Sequence, residues 1–141
     1  MPFLFDTDAV SEVFRKKPAK SYLDWLATIS RADQFVSTVS IGELYRGAFR
    51  SENSERHVRN IEERVLKSLT VLPLDVPVAR LYGQLYADLT LRGLPLADAD
   101  LQIAATAIHH GLELVTGNLK HFERIPGITL SQALVNARQM G

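Results

Sequence analysis

Three acids and one amide in this chain fall where apolar runs end, and those are the positions from which side chains can do chemistry. Asp6 closes the run Phe3-Leu4-Phe5, and Glu43 follows the apolar stretch at residues 34–38. Asp100 sits two residues after Asp98, and Asn118 comes two residues after the run at residues 113–116. Carboxylates brought together raise one another's pKa, so a cluster of them is unfavourable on its own. A divalent cation removes that penalty, and Mg²⁺ or Mn²⁺ prefers oxygen ligands and needs few carboxylates. Such an ion polarises a phosphoryl oxygen and lowers the pKa of an attacking water. The chain has no cysteine to act as a nucleophile, and none of its four histidines has an obvious partner in the sequence. Metal-assisted phosphodiester hydrolysis is therefore the chemistry this set supports best. Each acid also has a plainer explanation. Asp6 suits a helix N-cap, Glu43 completes a capping box with Ser40, and Asp98 and Asp100 suit the first turn of a helix. Only convergence of the set favours a site, and convergence depends on the elements that carry it.

Those elements alternate. A buried strand at residues 3–5 is followed by a helix at about 9–14, which Arg15-Lys16-Lys17-Pro18 breaks. A second helix at about 19–29 puts Tyr22, Leu23, Leu26 and Ile29 on one face. A strand at 34–38 leads into a helix opened by Ser40-Ile41-Gly42-Glu43, and residues 54–69 form a longer helix. Val71-Leu72 reads as a short strand cut by Pro73, and residues 76–91 as a helix stopping near Gly93. Asp98 caps a helix running to His110 with Gly111 as terminator, and residues 113–116 form a strand. Pro126-Gly127 makes a turn, Ile128 an edge strand, and residues 131–138 a last helix. This alternation predicts an α/β fold, a three-layer α/β/α sandwich with a mostly parallel central sheet, in a single domain over residues 1–141. In such sheets ligands bind outside the carboxyl ends of the strands, and the helices that run back begin there. Asp6, Glu43, Asp100 and Asn118 should then share one edge.

Composition narrows the possible roles. The chain has 141 residues, 46% hydrophobic and 23% charged, with 16 basic residues balancing 16 acidic ones. Zero formal charge argues against a protein that coats nucleic acid by bulk attraction, but permits an acidic centre beside a local basic patch. The lack of cysteine suits a cytoplasmic location, and no apolar stretch has membrane-spanning length. Arg15, Lys16, Lys17 and Lys20 form the one dense basic cluster, read as a solvated loop ahead of an RNA contact. Arg46, three residues past Glu43, is placed either to hold a phosphate or to pair with an acid. His109 and His110 point apart on a helix and read as dipole partners; His121 reads as a surface residue ahead of one that approaches the substrate, and Trp25 as core ahead of a groove for a partner.

The same residues resemble a known family. Leu4-Phe5-Asp6-Thr7-Asp8 is similar to the opening motif of PIN domains, and Val39-Ser40-Ile41-Gly42-Glu43-Leu44-Tyr45-Arg46-Gly47 to their second acidic motif. Asp98-Ala99-Asp100-Leu101-Gln102-Ile103-Ala104-Ala105-Thr106-Ala107 resembles the third. Leu114-Val115-Thr116-Gly117-Asn118 with His121-Phe122-Glu123-Arg124-Ile125-Pro126-Gly127 resembles the fourth region. The subgroup it resembles most is the VapC-like toxins of toxin–antitoxin pairs. The resemblance implies a PIN-like fold and a Mg²⁺- or Mn²⁺-dependent endoribonuclease acting on RNA. It implies Asp6, Glu43 and Asp100 as metal ligands and Asn118 as the fourth catalytic position. Thr7 and Ser40 stand behind these as supporting hydroxyls, with Thr116 and Arg46 as further supporting or substrate-binding residues. Asn118 stands where the family often has Asp, which favours one tight metal site. Asp98 is out of register and is left to helix capping. A homodimer and a cognate VapB-type antitoxin are implied as well. Two other readings compete: a non-catalytic binding module on the same fold, and a haloacid-dehalogenase-type phosphatase using Asp6-Thr7-Asp8-Ala9-Val10. The chain is short for the phosphatase fold and lacks its downstream lysine and late paired acids.

Overall fold

The computed structural model describes residues 2–140, so the terminal positions of the expected 1–141 domain lie outside the described residues. Strand β1 (Phe3–Phe5) is buried at every position and sits in the middle of a parallel sheet. On one side it pairs with β2 (Gln34–Ser37), which in turn pairs with β3 (Thr70–Leu72). On the other it pairs with β4 (Glu113–Val115), followed by β5 (Leu130–Ser131). The order is β3-β2-β1-β4-β5, so the chain builds outward in one direction and then reverses past β1. Side chains of a strand alternate between faces. Leu4 accordingly joins Leu114 in one buried cluster, while Phe3 and Phe5 join Val36 and Val115 in another. Burial on both faces is the expected state of a parallel sheet and explains why these strands are short and apolar.

Helices cover the two faces. α1 (Thr7–Glu12) and α2 (Lys20–Ala27) precede a 3₁₀ turn at Arg31–Asp33. α3 (Thr38–Arg50) and α4 (Ser54–Asn60) follow β2, and α4 runs through a π-helical segment, Ile61–Val65, into α5 (Leu66–Ser68). α6 (Val76–Leu91) and α7 (Asp98–His110) lie between β3 and β4, α8 (Leu119–Phe122) between β4 and β5, and α9 (Ala133–Met140) closes the chain. Val78, Leu85 and Leu89 of α6 and Leu101 and Ile103 of α7 pack on Leu4 and Leu114. Tyr22 of α2, Ala9 of α1 and Leu134 of α9 fill the other side, where Trp25 meets the Phe3 ring edge-on at 5.1 Å between centroids. Trp25 thus serves the core, as its helix position predicts. The expected three-layer sandwich is correct.

Several boundaries differ, for identifiable reasons. α1 starts at Thr7 because Asp6 caps it immediately after β1. α3 starts at Thr38, not Ser40, because the ladder with β3 ends at Ser37 and the Ser37 hydroxyl accepts from the Val39 N–H at 3.0 Å. The capping box assigned to Ser40 and Glu43 therefore does not form, and Glu43 lies in the second turn of α3. Ser40 is instead fully buried, with its hydroxyl unpartnered among the described residues. Asp98 does not cap α7; it already lies inside the helix, and its carboxylate accepts from the Tyr82 hydroxyl of α6 at 2.7 Å. Gly111 does end α7, in left-handed conformation at φ 66°, with the Leu112 N–H reaching back to the Ala107 carbonyl at 2.8 Å. The edge strand falls at Leu130–Ser131 instead of Ile128, the last helix follows it, and α8 was not expected.

The shifted cap is testable. Ser37→Ala is expected to lower the unfolding free energy by about 1 kcal/mol, the usual worth of an N-cap. Ser40→Ala removes a buried hydroxyl that makes no bond and is expected to be neutral or stabilising. Urea unfolding of the two variants distinguishes this cap from the one the Ser40–Glu43 spacing suggested.

Candidate active site

Strand order reverses between β1 and β4, and that is where an open α/β sheet leaves a crevice at its carboxyl edge. Asp6 leaves β1 at this point. Its backbone N–H donates to the Val115 carbonyl at 3.1 Å, tying it to the end of β4. Its Oδ1 accepts from the Ala9 N–H at 2.8 Å, and the Thr116 hydroxyl also donates to the carboxylate. The plain role of Asp6 as a helix cap is thus real, and it is what fixes the carboxylate in place. Only 6% of the residue is exposed. Burial pushes its pKa up to about 7; the bonds from Thr116 and Ala9 oppose that rise, and the charges of Asp8 and Asp100 add to it.

Most of the other predicted residues have partners of their own. Glu43 accepts from the Thr7 hydroxyl at 2.5 Å, which places it beside the residue that follows Asp6. Arg46 lies 3.7 Å from the other Glu43 oxygen and is largely exposed, so it pairs with the acid while keeping donors free for solvent. Asp100, in the first turn of α7, is close enough to Asp6 to act on it electrostatically. Thr116 is fully buried and also accepts from the Asn118 N–H at 3.1 Å, so it joins the end of β4 to Asp6. The Asn118 side chain is exposed and makes no hydrogen bond among the described residues. Beside the Thr7–Glu43 pair lies a cleft of about 290 Å³, lined by Thr7, Ser11, Glu43, Gly47, His57 and Asn60. The three acids are not drawn into one chelate: among the described residues no three Asp, Glu or His side chains are grouped to hold an ion.

Two features of the site lay outside the expectations. His121, read as a surface residue, pairs its Nε2 with Asp100 Oδ2 at 2.8 Å. The short helix α8, invisible to periodicity, turns it inward; only its spacing of three residues from Asn118 hinted at a shared side. Arg138 reaches from α9 to Asp8 and Glu12 on α1. Glu12 is 2% exposed, and although burial opposes its ionisation, the Ala19 N–H and Arg138 outweigh that and hold its carboxyl below the usual range. The basic cluster behaves largely as a solvated loop. Lys16 and Lys17 are exposed, Lys20 pairs with Asp24 at 3.1 Å, and Arg15 with Glu12 at 3.3 Å.

The donor chemistry suits a hard divalent cation. Every candidate ligand is a carboxylate or amide oxygen, and the most buried one is a carboxyl that burial alone would keep protonated near neutrality. The sign of the linkage follows. The folded pKa of Asp6 lies above its unfolded value of 3.8, so the native state binds the extra proton and this group's contribution is full below about pH 4. That contribution is lost as pH rises through about 7. In chelator, Asp6→Asn is expected to match the wild type in stability near pH 4 and to exceed it by roughly 2–4 kcal/mol at pH 8. Asn caps a helix as well as Asp does, so the cap survives the change. Thermal melts of both proteins across this range measure the difference; equal pH dependence would remove the strained carboxylate.

Comparison with known proteins agrees with this arrangement. The family model described as PIN domain matches residues 3–128. The chain is 35% identical over 130 residues to Ribonuclease VapC2 of Haemophilus influenzae, covering 89% of this chain and 92% of that protein. It is 32% identical to the tRNA(fMet)-specific endonuclease VapC of Salmonella typhimurium, over 92% of this chain and 96% of the relative. Among solved structures, a DNA-bound VapBC complex from Salmonella typhimurium superposes with a TM-score of 0.85 at 32% identity, covering 93% and 97% of the two chains. The FitAcB complex of Neisseria gonorrhoeae gives 0.84 at 28% identity, with 93% and 97% covered. The family match displaces the dehalogenase-type phosphatase reading of Asp6-Thr7-Asp8. With a parallel sheet in the order β3-β2-β1-β4-β5 and the family model matched over residues 3–128, the chain belongs to the PIN domain family, among its VapC-like members.

Proposed function

We propose that this protein is a metal-dependent endoribonuclease that hydrolyses RNA phosphodiester bonds, and the toxin of a VapBC-type pair restrained by a VapB-type antitoxin. The observation that carries the reading is the neighbourhood of Asp6: a buried carboxyl at the strand switch, with the charge of Asp100 acting on it and the Thr7–Glu43 pair beside it. The names of the relatives, ribonuclease and endonuclease VapC, support it from outside.

In this reading Asp6, Glu43 and Asp100 hold one Mg²⁺ or Mn²⁺. When bound, the ion supplies a Lewis acid and a water of lowered pKa. The chain's own residues supply placement. Thr116 and the Ala9 N–H orient Asp6, Thr7 orients Glu43, and His121 holds one oxygen of Asp100. Arg46 presents guanidinium donors toward a phosphate of the bound strand. Asn118 offers an uncharged amide at the rim, suited to orienting a water or a substrate oxygen, and its neutrality fits a single ion. Ser40, one turn before Glu43, contributes a buried hydroxyl behind it.

A homodimer forms part of the proposal, and exposed Val76, Tyr86 and Leu91 of α6 give it apolar surface to bury. Among the described residues no helix is long and apolar enough to cross a membrane. A cytoplasmic site of action is the setting we propose, where RNA and antitoxin are both at hand.

Purified protein incubated with bacterial RNA is expected to cut it with Mg²⁺ or Mn²⁺ and to stop in EDTA. Asp6→Asn and Asp100→Asn, shown by circular dichroism to be folded, are expected to lose at least about 100-fold in rate, and His121→Ala about 10- to 100-fold. Near-wild-type cleavage by folded Asp100→Asn would remove the proposed site. RNA binding without cleavage under any of these conditions would favour a non-catalytic module.

A further inference from the structure

Arg138, on α9, reaches across to α1, the helix that opens directly after Asp6. Its Nη1 and Nη2 donate to the two oxygens of Asp8, each at 2.9 Å. Its Nε and Nη2 reach Glu12 Oε1 at 2.9 and 2.8 Å. Both acids lie on α1, four residues apart on one face, and α1 begins directly after Asp6. A fork of this kind is the geometry for which a guanidinium is suited and an ammonium is not. The clasp also presses on a third element. A Cβ built on Gly117 would fall 2.2 Å from Arg138 Nη1 and 2.3 Å from Asp8 Oδ2. The loop from β4 to Asn118 therefore passes this close only because residue 117 has no side chain. α1, α9 and the β4–α8 loop all meet at one guanidinium.

The charge balance gives this contact a consequence. Asp8 acts on Asp6 electrostatically, so the edge carries more negative charge than the three candidate ligands alone. We propose that Arg138 sets the charge of the catalytic edge. By clasping Asp8 it keeps that carboxylate out of competition with Asp6, Glu43 and Asp100 for a divalent cation, and by its hold on Glu12 it ties the C-terminal helix to α1. Arg138 is a positioning residue here, because it acts through Asp8. The inference rests on the metal-site reading above.

Titration calorimetry with Mn²⁺ on the full-length protein tests it, because the signs differ between variants. Arg138→Gln frees the Asp8 carboxylate and is expected to bind Mn²⁺ about three- to tenfold more tightly while cleaving RNA more slowly at saturating substrate. Asp8→Asn removes a negative charge but leaves Arg138 on Glu12, and is expected to bind Mn²⁺ about three- to tenfold more weakly. The double variant restores the wild-type balance and is expected to return to within about twofold of wild-type affinity. A residue that merely anchors α9 would weaken binding, or leave it unchanged, in both single variants, and either result overturns the proposal. If Arg138→Gln does not fold because Glu12 is left buried and unpaired, Arg138→Gln combined with Glu12→Gln takes its place: tighter Mn²⁺ binding supports the clasp, and unchanged or weaker binding overturns it. Failure of the wild type to bind Mn²⁺ removes the metal reading and this inference together. Wild-type binding with variants that do not differ removes this inference alone.

Discussion

A carboxylate buried at the end of the central strand is the constraint around which this structure is organised. Asp6 has to end β1, begin α1 and remain at the one place where the sheet opens, between β1 and β4. It meets these demands with bonds from a backbone N–H of the helix it caps and from the hydroxyl of Thr116 on the neighbouring strand's exit. These bonds do not fully offset its desolvation, which is why the group is held far from its ordinary acidity. The fold maintains a locally unfavourable group at the position from which an ion and a substrate are best reached, and the apolar clusters on both sheet faces supply the stability that tolerates it.

The acids around Asp6 follow a common rule. Each has a donor beside it: Glu43 has Thr7 and, more loosely, Arg46, Asp100 has His121, and Asp8 and Glu12 share Arg138. Like charges crowded together repel, and a donor beside each acid limits that repulsion while restricting where each carboxylate points. The partners differ in kind. The Thr7 hydroxyl holds one Glu43 oxygen without charge, and the largely exposed Arg46 reaches the other only at 3.7 Å. The guanidinium of Arg138 sets one full positive charge 2.9 Å from Asp8 and 2.8 Å from Glu12. In the function proposed here, the two-pronged hold of Arg138 goes with an acid, Asp8, that must not bind the ion.

Much of this was legible in the residues themselves. The run Phe3-Leu4-Phe5 ending in Asp6, the helix at Val76–Leu91 and the Gly111 terminator all sit where local chemistry puts them, because burial, propensity and left-handed backbone act over a few residues. Placing Asp6, Glu43, Asp100 and Asn118 on one edge needed only the alternation of strands and helices and the rule that sites lie at strand carboxyl ends. The errors were local ties. Ser37 and Ser40 are both plausible caps, and only the end of the ladder at Ser37 against Leu72 selects between them.

Tertiary structure alone decided the contacts that define the site's electrostatics. Asp8 and Glu12 share a helix face in the sequence pattern, but Arg138 lies 130 and 126 residues beyond them, and no period or motif connects such positions. His121 reaches Asp100 because a four-residue helix, too short to show a period, turns it inward. The chain by itself determined which residues form strands and helices and which acids stand at their ends, since those follow from neighbours in sequence. Which donor each acid receives was decided by how the layers pack, because hydrogen bonds and charges act over a few ångströms of space whatever the separation along the chain.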